Sequence, residues 1–222
     1  MVGDRFRPNP MVKVKICGIT NLEDALNAID AGCDALGFVF YKKSPRYIEP
    51  KRAKEIIEKL PEKILKIGVF VNEKEKSIRS IANLCKLDML QFHGNESPEF
   101  CQKFGGFRVI KAFRVKDKID LSEILRYNTF AYLFDAFVKS KRGGTGKRFN
   151  WGLLRPLAGI RQQIFLSGGI NANNAKRAIQ VVWPDWIDVS SSVEIRPGKK
   201  DQTKVKEFIE AVNNRDSDHL YA

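Results

Sequence analysis

The sequence predicts an α/β protein folded as a closed (β/α)8 TIM barrel, and three observations support this. About eight short apolar segments alternate with amphipathic segments along the 222 residues, as parallel strands alternating with helices require. No GxGxxG motif follows the first strand, which disfavours the remaining alternative, a doubly wound open sheet. The first strand also places Lys13, Lys15 and Cys17 on one face. That face suits a barrel interior ending at a substrate site, although this strand alone fits equally well an edge strand with solvated lysines.

The first βαβ unit carries the clearest local signals. Residues 12–17 alternate between apolar and other side chains, the period of a half-buried strand. Thr20 or Asn21 is placed to cap the following helix, and Gly32 to end it. Residues 35–40 form a second, almost wholly apolar strand. A strand, a crossover helix and a strand of this length imply a parallel pair.

The remaining elements repeat this alternation. Further strands are predicted at 64–71, 89–93, 109–113, 132–137, 164–167 and 186–190. Helices are predicted near 50–60 (ended by Pro61), 78–84, 100–104, 151–158, 173–181 and 205–212. The connection at 121–126 has room only for a short or irregular fifth helix, and a glycine-rich loop is predicted at 139–147.

Length and composition predict one catalytic domain. With 43% hydrophobic residues the chain can bury a sizeable core, which we assign to residues 11–213. The charged residues 1–10 are expected to be a flexible N-terminal tail, and 214–222 a C-terminal tail. No apolar run is long enough to span a bilayer, and the N-terminus lacks the apolar core of a signal peptide. We therefore expect a cytoplasmic protein without membrane contact.

Net charge and cysteine content limit the classes of ligand that the chain is expected to bind. The formal net charge of +13 favours anionic ligands, but the lysines are scattered over predicted helix surfaces, so nucleic-acid binding is not expected. The four cysteines show no paired metal-ligand spacing and the chain has only two histidines, so no metal site is expected. Reduced thiols fit this pattern better than disulfides.

Candidate functional residues are those at the carboxyl ends of the predicted strands, where barrel enzymes place their catalytic groups. The residues found there are Cys17, His93, Asp135, Gly168, Gly169 and the serines of 190–192, with Arg46 in a loop just beyond. An acid alone in the apolar run around Asp135 is expensive to bury, so it is expected to be partnered or functional. His93 is about as well suited to a structural hydrogen bond as to a substrate contact.

Three glycine- or serine-rich segments suit a phosphate group, because small residues let backbone N–H groups approach an anion. Two of them follow the seventh and eighth strands, where this fold commonly holds phosphate. The candidate phosphate-binding residues are Gly144, Gly146, Gly168, Gly169, Ser190 and Ser191.

Lys15 and Asp188 are expected to pair inside the barrel. Both point inward by strand alternation, and the first and eighth strands are neighbours in a closed barrel. One hypothesis is that Asp188 keeps Lys15 charged and that Lys15 favours the Cys17 thiolate. A purely structural buried pair is the alternative.

Taken together, several motifs resemble the phosphoribosylanthranilate isomerase family. They are KICGIT (15–20), SPRYI (44–48), QFHGNE (91–96), FDAF (134–137), GGTGK (143–147), LSGGI (166–170), DVSSSVE (188–194) and PGKKD (197–201). The resemblance implies a cofactor-free barrel of tryptophan biosynthesis that catalyses an Amadori rearrangement of N-(5-phosphoribosyl)anthranilate. It implies Cys17 as general base, Asp135 as general acid and Arg46 as the ligand of the anthranilate carboxylate. The chain departs from the family's usual SSGVE, because Ser192 stands in place of the glycine.

The partner implied is a phosphorylated small molecule, handled by a monomer or homodimer. Two alternatives remain at this point. One is the related sugar isomerisation of histidine biosynthesis, which needs two comparable phosphate sites and carboxylates rather than a thiol. The other is an inactive barrel kept as a basic binding module, against which Cys17, Asp135 and Arg46 argue.

Overall fold

Eight parallel strands close into a barrel in the computed structural model, which describes residues 11–136, 149–157 and 159–213. The strands are β1 Lys13–Cys17, β2 Ala35–Val39, β3 Leu65–Phe70, β4 Met89–Phe92, β5 Arg108–Val115, β6 Ala131–Ala136, β7 Gln163–Leu166 and β8 Trp186–Val189. Each strand pairs with the next, and β8 pairs with β1, aligning Asp188 with Lys15. The predicted fold class is confirmed.

Helices connect the strands on the outside of the barrel. They are α1 Leu22–Asp30, α2 Pro50–Ile57, α3 Glu75–Leu84, α4 Pro98–Gln102, α5 Leu121–Ile124, α6 Ala172–Val182 and α7 Gln202–Asn213. The side chain of Asn21 accepts a hydrogen bond from the Asp24 N–H, so Asn21 rather than Thr20 caps α1. Gly32 has a φ of +102°, as expected of a left-handed stop. The short α5 is confirmed. No described helix is long and apolar enough to cross a membrane.

Three helix predictions need correction. Helix α2 ends at Ile57, so turns rather than helix lead to Pro61. Helix α4 ends at Gln102, leaving Phe104 in the turn that follows, where its ring packs on Phe92 at a centroid distance of 5.0 Å. The segment Trp151–Leu157 is a 3-10 helix with Pro156 inside it. A proline cannot donate the hydrogen bond that an α-helix needs at this position.

The core has two layers, as a barrel requires. The larger layer fills the space between strands and helices, and the smaller fills the barrel interior with Ala35, Ile67, Met89, Ile110, Ala112, Ala131, Leu133, Phe165 and Trp186. The rings of Phe165 and Trp186 stack there at 4.8 Å. Lys13 lies at the amino end of the barrel, where its ammonium sits 5.2 Å from the Trp186 ring centroid and the side chain stays exposed.

A short antiparallel hairpin after β8 was not predicted. Its strands are β9 Glu194–Arg196 and β10 Lys199–Lys200, turned through Gly198 at a φ of +82°. Lys199 binds the carboxylates of Glu23 and Asp24, each at 2.8 Å, so the hairpin folds back over the start of α1. It therefore covers the carboxyl end of β1, where Cys17 lies.

The predictions for the tails 1–10 and 214–222 and for the loop 139–147 lie outside the described residues, as does Ala158 of the predicted helix. All four cysteines are free and buried.

Candidate active site

Two adjoining pockets open at the carboxyl end of the barrel. The larger, of about 530 Å³, is lined by residues from seven of the eight strand ends or the loops beyond them, including Cys17, Arg46, His93, Asp135 and Ser190. The smaller, of about 270 Å³, lies between the loops after β7 and β8. The pockets share Asp135, Ser167, Asp188 and Ser190.

Cys17 ends β1 and lies on the floor of the larger pocket, 8% exposed. Gly37 on β2 is its neighbour across the sheet, and a Cβ there would lie 2.7 Å from the Cys17 sulfur, so only glycine leaves room. Burial raises the pKa of the Cys17 thiol, whereas the charge of Lys15 opposes that rise. The protonated thiol is therefore the resting form at neutral pH.

Lys15 lies one layer deeper and is fully buried. Its ammonium donates to Asp188 Oδ1 at 2.8 Å and to Gln91 Oε1 at 2.9 Å, so the predicted Lys15–Asp188 pair is present. Burial opposes the charge on Lys15, but Asp188 and Cys17 outweigh it and raise the Lys15 pKa. Burial also disfavours the charged form of Asp188, so the pKa of Asp188 is raised even though the charge of Lys15 acts to lower it. Because both charges are buried away from water, each is stabilised mainly by its direct contact with the other, and removing either partner would leave an unpaired buried charge.

Asp135 is the last residue but one of β6, its side chain is 5% exposed, and its Oδ1 accepts the Ala136 N–H at 2.8 Å. His93, just past β4, approaches it with Nε2 3.3 Å from Asp135 Oδ2. His93 Nδ1 lies 2.9 Å from the Gln91 amide nitrogen. The acid therefore has a partner on one side and opens onto both pockets.

Arg46 reaches the larger pocket from the loop after β2 and is 8% exposed. Its guanidinium grips Glu194 with two hydrogen bonds, Nε to Oε1 at 2.8 Å and Nη2 to Oε2 at 2.6 Å. Burial disfavours ionisation of Glu194, but the hydrogen bond from Arg46 and the charge of Lys200 overcome it and lower the Glu194 pKa. The pair orients the fork of Arg46 and leaves its remaining N–H groups for the pocket.

Lys200 links the Arg46–Glu194 pair to the backbone of Cys17. Its ammonium donates to Glu194 Oε1 at 2.9 Å, to the Cys17 carbonyl at 2.6 Å and to the Ser190 carbonyl at 3.2 Å. Burial lowers the pKa of Lys200, opposed by Glu194. One side chain of the hairpin thus fixes the ends of both β1 and β8.

The smaller pocket is shaped by glycines after β7 and serines after β8. Gly168 and Gly169 have φ values of +85° and +68°, and a Cβ on Gly168 would lie 2.5 Å from the Ala136 nitrogen. The buried hydroxyl oxygen of Ser190 has no hydrogen-bond partner among the described residues. Ser192 occupies a short 3-10 turn and its hydroxyl donates to the Ile170 carbonyl, so it joins the two loops. Gly144 and Gly146 lie outside the described residues.

Three residues of this site were not predicted from the sequence: Gln91, Glu194 and Lys200. Each lies within a motif noted above, and strand alternation placed Gln91 on the face of His93. Their roles depend on contacts with β1 and with the loop after β2, far away in sequence. Among the described residues, no group of three or more His, Cys, Asp or Glu side chains is arranged to hold a metal ion.

The fold and the pocket define a (β/α)8-barrel enzyme in which a thiol and a carboxylic acid face one cavity, the groups that general acid–base catalysis requires. Comparison with known proteins specifies the family. A sequence model of the N-(5'-phosphoribosyl)anthranilate (PRA) isomerase family matches residues 14–211. The chain belongs to this family, and it is an isomerase of tryptophan biosynthesis that rearranges N-(5-phosphoribosyl)anthranilate.

Individual relatives agree over nearly the whole chain. An N-(5'-phosphoribosyl)anthranilate isomerase of Pelobacter propionicus is 51% identical over 199 residues, which is 90% of this chain and 94% of the relative. The crystal structure of the phosphoribosyl anthranilate isomerase of Thermotoga maritima is 46% identical with a TM-score of 0.87, covering 91% of this chain and 99% of that one.

A further solved phosphoribosyl anthranilate isomerase is in complex with reduced 1-(o-carboxyphenylamino)-1-deoxyribulose 5-phosphate. It is 44% identical, with a TM-score of 0.83 and coverage of 91% and 99%. These matches favour the predicted activity over the histidine-pathway isomerase and the inactive barrel.

Proposed function

We propose that Asp135 is the general acid and Cys17 the general base of the Amadori rearrangement in the larger pocket. The observation that carries this assignment is that both side chains open onto one cavity from β6 and β1, well apart around the barrel. An acid and a base acting on different atoms of one sugar need that separation.

The steps follow from the chemistry of an N-glycoside of ribose. Asp135 gives its proton to the ring oxygen, and the ring C–O bond breaks to leave a protonated Schiff base. In the fraction of molecules whose Cys17 is ionised, the thiolate then removes the proton from C2, forming an enolamine and a thiol. Tautomerisation of the enolamine gives the ketone product, 1-(2-carboxyphenylamino)-1-deoxyribulose 5-phosphate. The buried floor of the pocket excludes water from the reactive Schiff base.

The two charged ends of the substrate are assigned to opposite sides of the cavity. Arg46 binds the anthranilate carboxylate through the N–H groups that Glu194 leaves free. The phosphate occupies the smaller pocket, where backbone N–H groups after β7 and β8 and the unpaired Ser190 hydroxyl face the space. Gly144 and Gly146 are retained as candidates on sequence alone. We also retain the predictions of a cofactor-free, cytoplasmic monomer or homodimer.

The direct test follows the fluorescence of the anthranilate adduct after the purified chain is added, without metal or cofactor. Rapid, catalytic loss of that fluorescence is the expected result. Isomerisation of the histidine-pathway substrate instead, or no turnover of either, would contradict the proposal.

Arg46→Lys is expected to raise KM about 10- to 100-fold with a smaller change in kcat. A lysine cannot replace the bidentate fork, and a hydrogen bond to a charged group is worth about 1.5–3 kcal/mol. Steady-state kinetics with the anthranilate adduct measure the change. Arg52→Lys, on the exposed face of α2, is the matched control and should leave both constants unchanged. An unaltered KM in Arg46→Lys would show that the guanidinium points away from the substrate.

Inorganic phosphate is expected to inhibit competitively, and Gly168→Ala to weaken that inhibition. A methyl group at Gly168 would meet the Ala136 backbone and force strain at a positive φ, which costs about 1–3 kcal/mol, so the loop must shift. The measurement is the inhibition constant for phosphate in wild type and variant. Gly106→Ala, where a Cβ meets nothing within 4 Å, is the control. Equal inhibition constants would place the phosphate elsewhere.

A further inference from the structure

A line of buried polar side chains crosses the barrel interior from Lys15, one layer below Cys17, to the assigned acid Asp135. Lys15 on β1 donates to Gln91 on β4 at 2.9 Å, and the Gln91 amide nitrogen lies 2.9 Å from His93 Nδ1. His93 Nε2 in turn lies 3.3 Å from Asp135 Oδ2. Gln91 is 1% exposed and His93 8%, so water does not compete for these contacts. Gln91 has no part in the mechanism described above.

The hydrogen positions along this line follow from donor and acceptor chemistry. The Lys15 ammonium has only donors, so Gln91 must turn its carbonyl oxygen towards it. The amide NH2 of Gln91 then faces His93 and can only donate, which makes His93 Nδ1 the acceptor. A neutral imidazole with a bare Nδ1 carries its hydrogen on Nε2, the nitrogen beside Asp135.

We propose that Gln91 is a positioning residue that fixes His93 as the neutral Nε2–H tautomer and thereby aims one hydrogen-bond donor at Asp135. The proposal rests on the assignment of Asp135 as the general acid. His93 Nε2 is buried and has no aligned hydrogen bond among the described residues, so Asp135 is the acceptor nearest to its hydrogen. When Asp135 releases its proton to the substrate, the new carboxylate accepts a hydrogen bond from His93 Nε2–H. Such contacts are commonly long in the free enzyme and shorten during catalysis.

The neutral form matters because an imidazolium would oppose the reaction. A cation beside Asp135 would hold the carboxylate ionised and leave no proton for the ring oxygen. Among the described residues, Asp135 on β6 lies beside His93, Asp188 on β8 interacts with it electrostatically, and Lys15 on β1 is joined to it through Gln91. The Gln91 NH2 cannot accept the hydrogen bond that an imidazolium would donate from Nδ1. The contact with Gln91 is therefore compatible with a neutral imidazole and not with the imidazolium cation.

The tautomer is directly measurable by NMR of protein labelled with 15N-histidine, because the chain has only two histidines. His219→Gln assigns the His93 signals. At mildly alkaline pH, where a free imidazole is neutral, we expect a pyridine-type Nδ1 and a pyrrole-type Nε2 in the wild type. A pyridine-type Nε2 in the wild type would overturn the proposal whatever the kinetics show.

Gln91→Glu tests the function of this tautomer. A carboxylate accepts from both neighbours, so His93 Nδ1 should become pyrrole-type, and kcat should fall by about 10- to 100-fold, as for other groups that orient a functional imidazole. KM should change little. Gln180→Glu on the exposed surface of α6 adds the same charge and should change neither signal nor rate. If Gln91→Glu does not fold, Gln91→Met allows the same comparison without a new charge. We expect Gln91→Met to give a mixture of His93 tautomers and a reduced kcat.

If the His93 tautomer is reversed in Gln91→Glu but kcat stays at the wild-type value, the functional part of the proposal is wrong. If Gln91 acts through Asp135, adding Gln91→Glu to the Asp135→Asn variant should not lower kcat further. A further loss of kcat as large as that in the wild-type background would show that Gln91 does not act through Asp135. Full activity of Asp135→Asn alone would overturn the acid assignment. That failure is distinct from a wrong tautomer, which the wild-type spectrum reveals by itself.

Discussion

Asp135→Asn is expected to keep the barrel intact and to lower kcat by about 10²- to 10⁴-fold. The asparagine oxygen can still accept the Ala136 N–H that Asp135 Oδ1 accepts at 2.8 Å, so the end of β6 keeps its local structure. The amide cannot give a proton to the ring oxygen of the substrate, so ring opening loses its acid. Substrate binding should be less affected, because neither charged end of the substrate is assigned to Asp135.

The measurement is kcat of purified variant and wild type, alongside circular dichroism and thermal unfolding of both. Asp30→Asn, an exposed residue at the end of α1, carries the same substitution away from the pocket and should be fully active. Near-normal turnover in a folded Asp135→Asn variant would remove Asp135 from the mechanism.

Lys15→Met is expected to move the alkaline-rising limb of kcat/KM to higher pH. Burial raises the pKa of the Cys17 thiol, and Lys15 is the strongest influence opposing that rise. Without Lys15 the pKa of Cys17 should rise further, so less thiolate exists at any given pH. The rate of Cys17 alkylation should shift in parallel, because the thiolate is also the form that reacts with an alkylating agent.

The same variant should lose about 3–5 kcal/mol of stability at neutral pH, because Asp188 would keep a buried charge without its partner. Burial raises the pKa of Asp188 in the folded state, and removing Lys15 raises it further. A group with a raised folded pKa penalises folding above its unfolded value, which is about 3.9 for aspartate, so the deficit should shrink as the pH falls towards that value. Adding Asp188→Asn should restore part of the loss.

Urea unfolding at several pH values gives the stability, and mass spectrometry of the Cys17 peptide gives the alkylation rate. The other cysteines do not interfere, since burial raises the pKa of Cys33 to about 12 and those of Cys85 and Cys101 to about 11. Lys13→Met, two residues earlier on the same strand and exposed, is the control and should shift neither profile. If Cys17 alkylation in the folded Lys15→Met variant titrates as in the wild type, the pair is structural only.

Local patterns in the sequence determined the fold and much of the site. Strand alternation has a period of two, so it predicted that Lys15 and Cys17 would share the inward face of β1 and that Asp188 would meet Lys15 in a closed barrel. The carboxyl ends of the strands then located Cys17, Asp135, Gly168 and the serines after β8. These inferences succeed because each depends on a few neighbouring residues and one rule of barrel geometry.

The sequence could not determine which side chains meet once the loops fold over the barrel. The pairing of Arg46 with Glu194, the hold of Lys200 on Cys17 and the contact of Gln91 with Lys15 join residues between 76 and 183 positions apart. No periodicity encodes such distances. They are decided by burial, because a charge or amide removed from water must find a partner among whatever groups the closed barrel brings within reach. The hairpin after β8 has the same origin, since the ammonium of Lys199 turns back to the carboxylates at the start of α1.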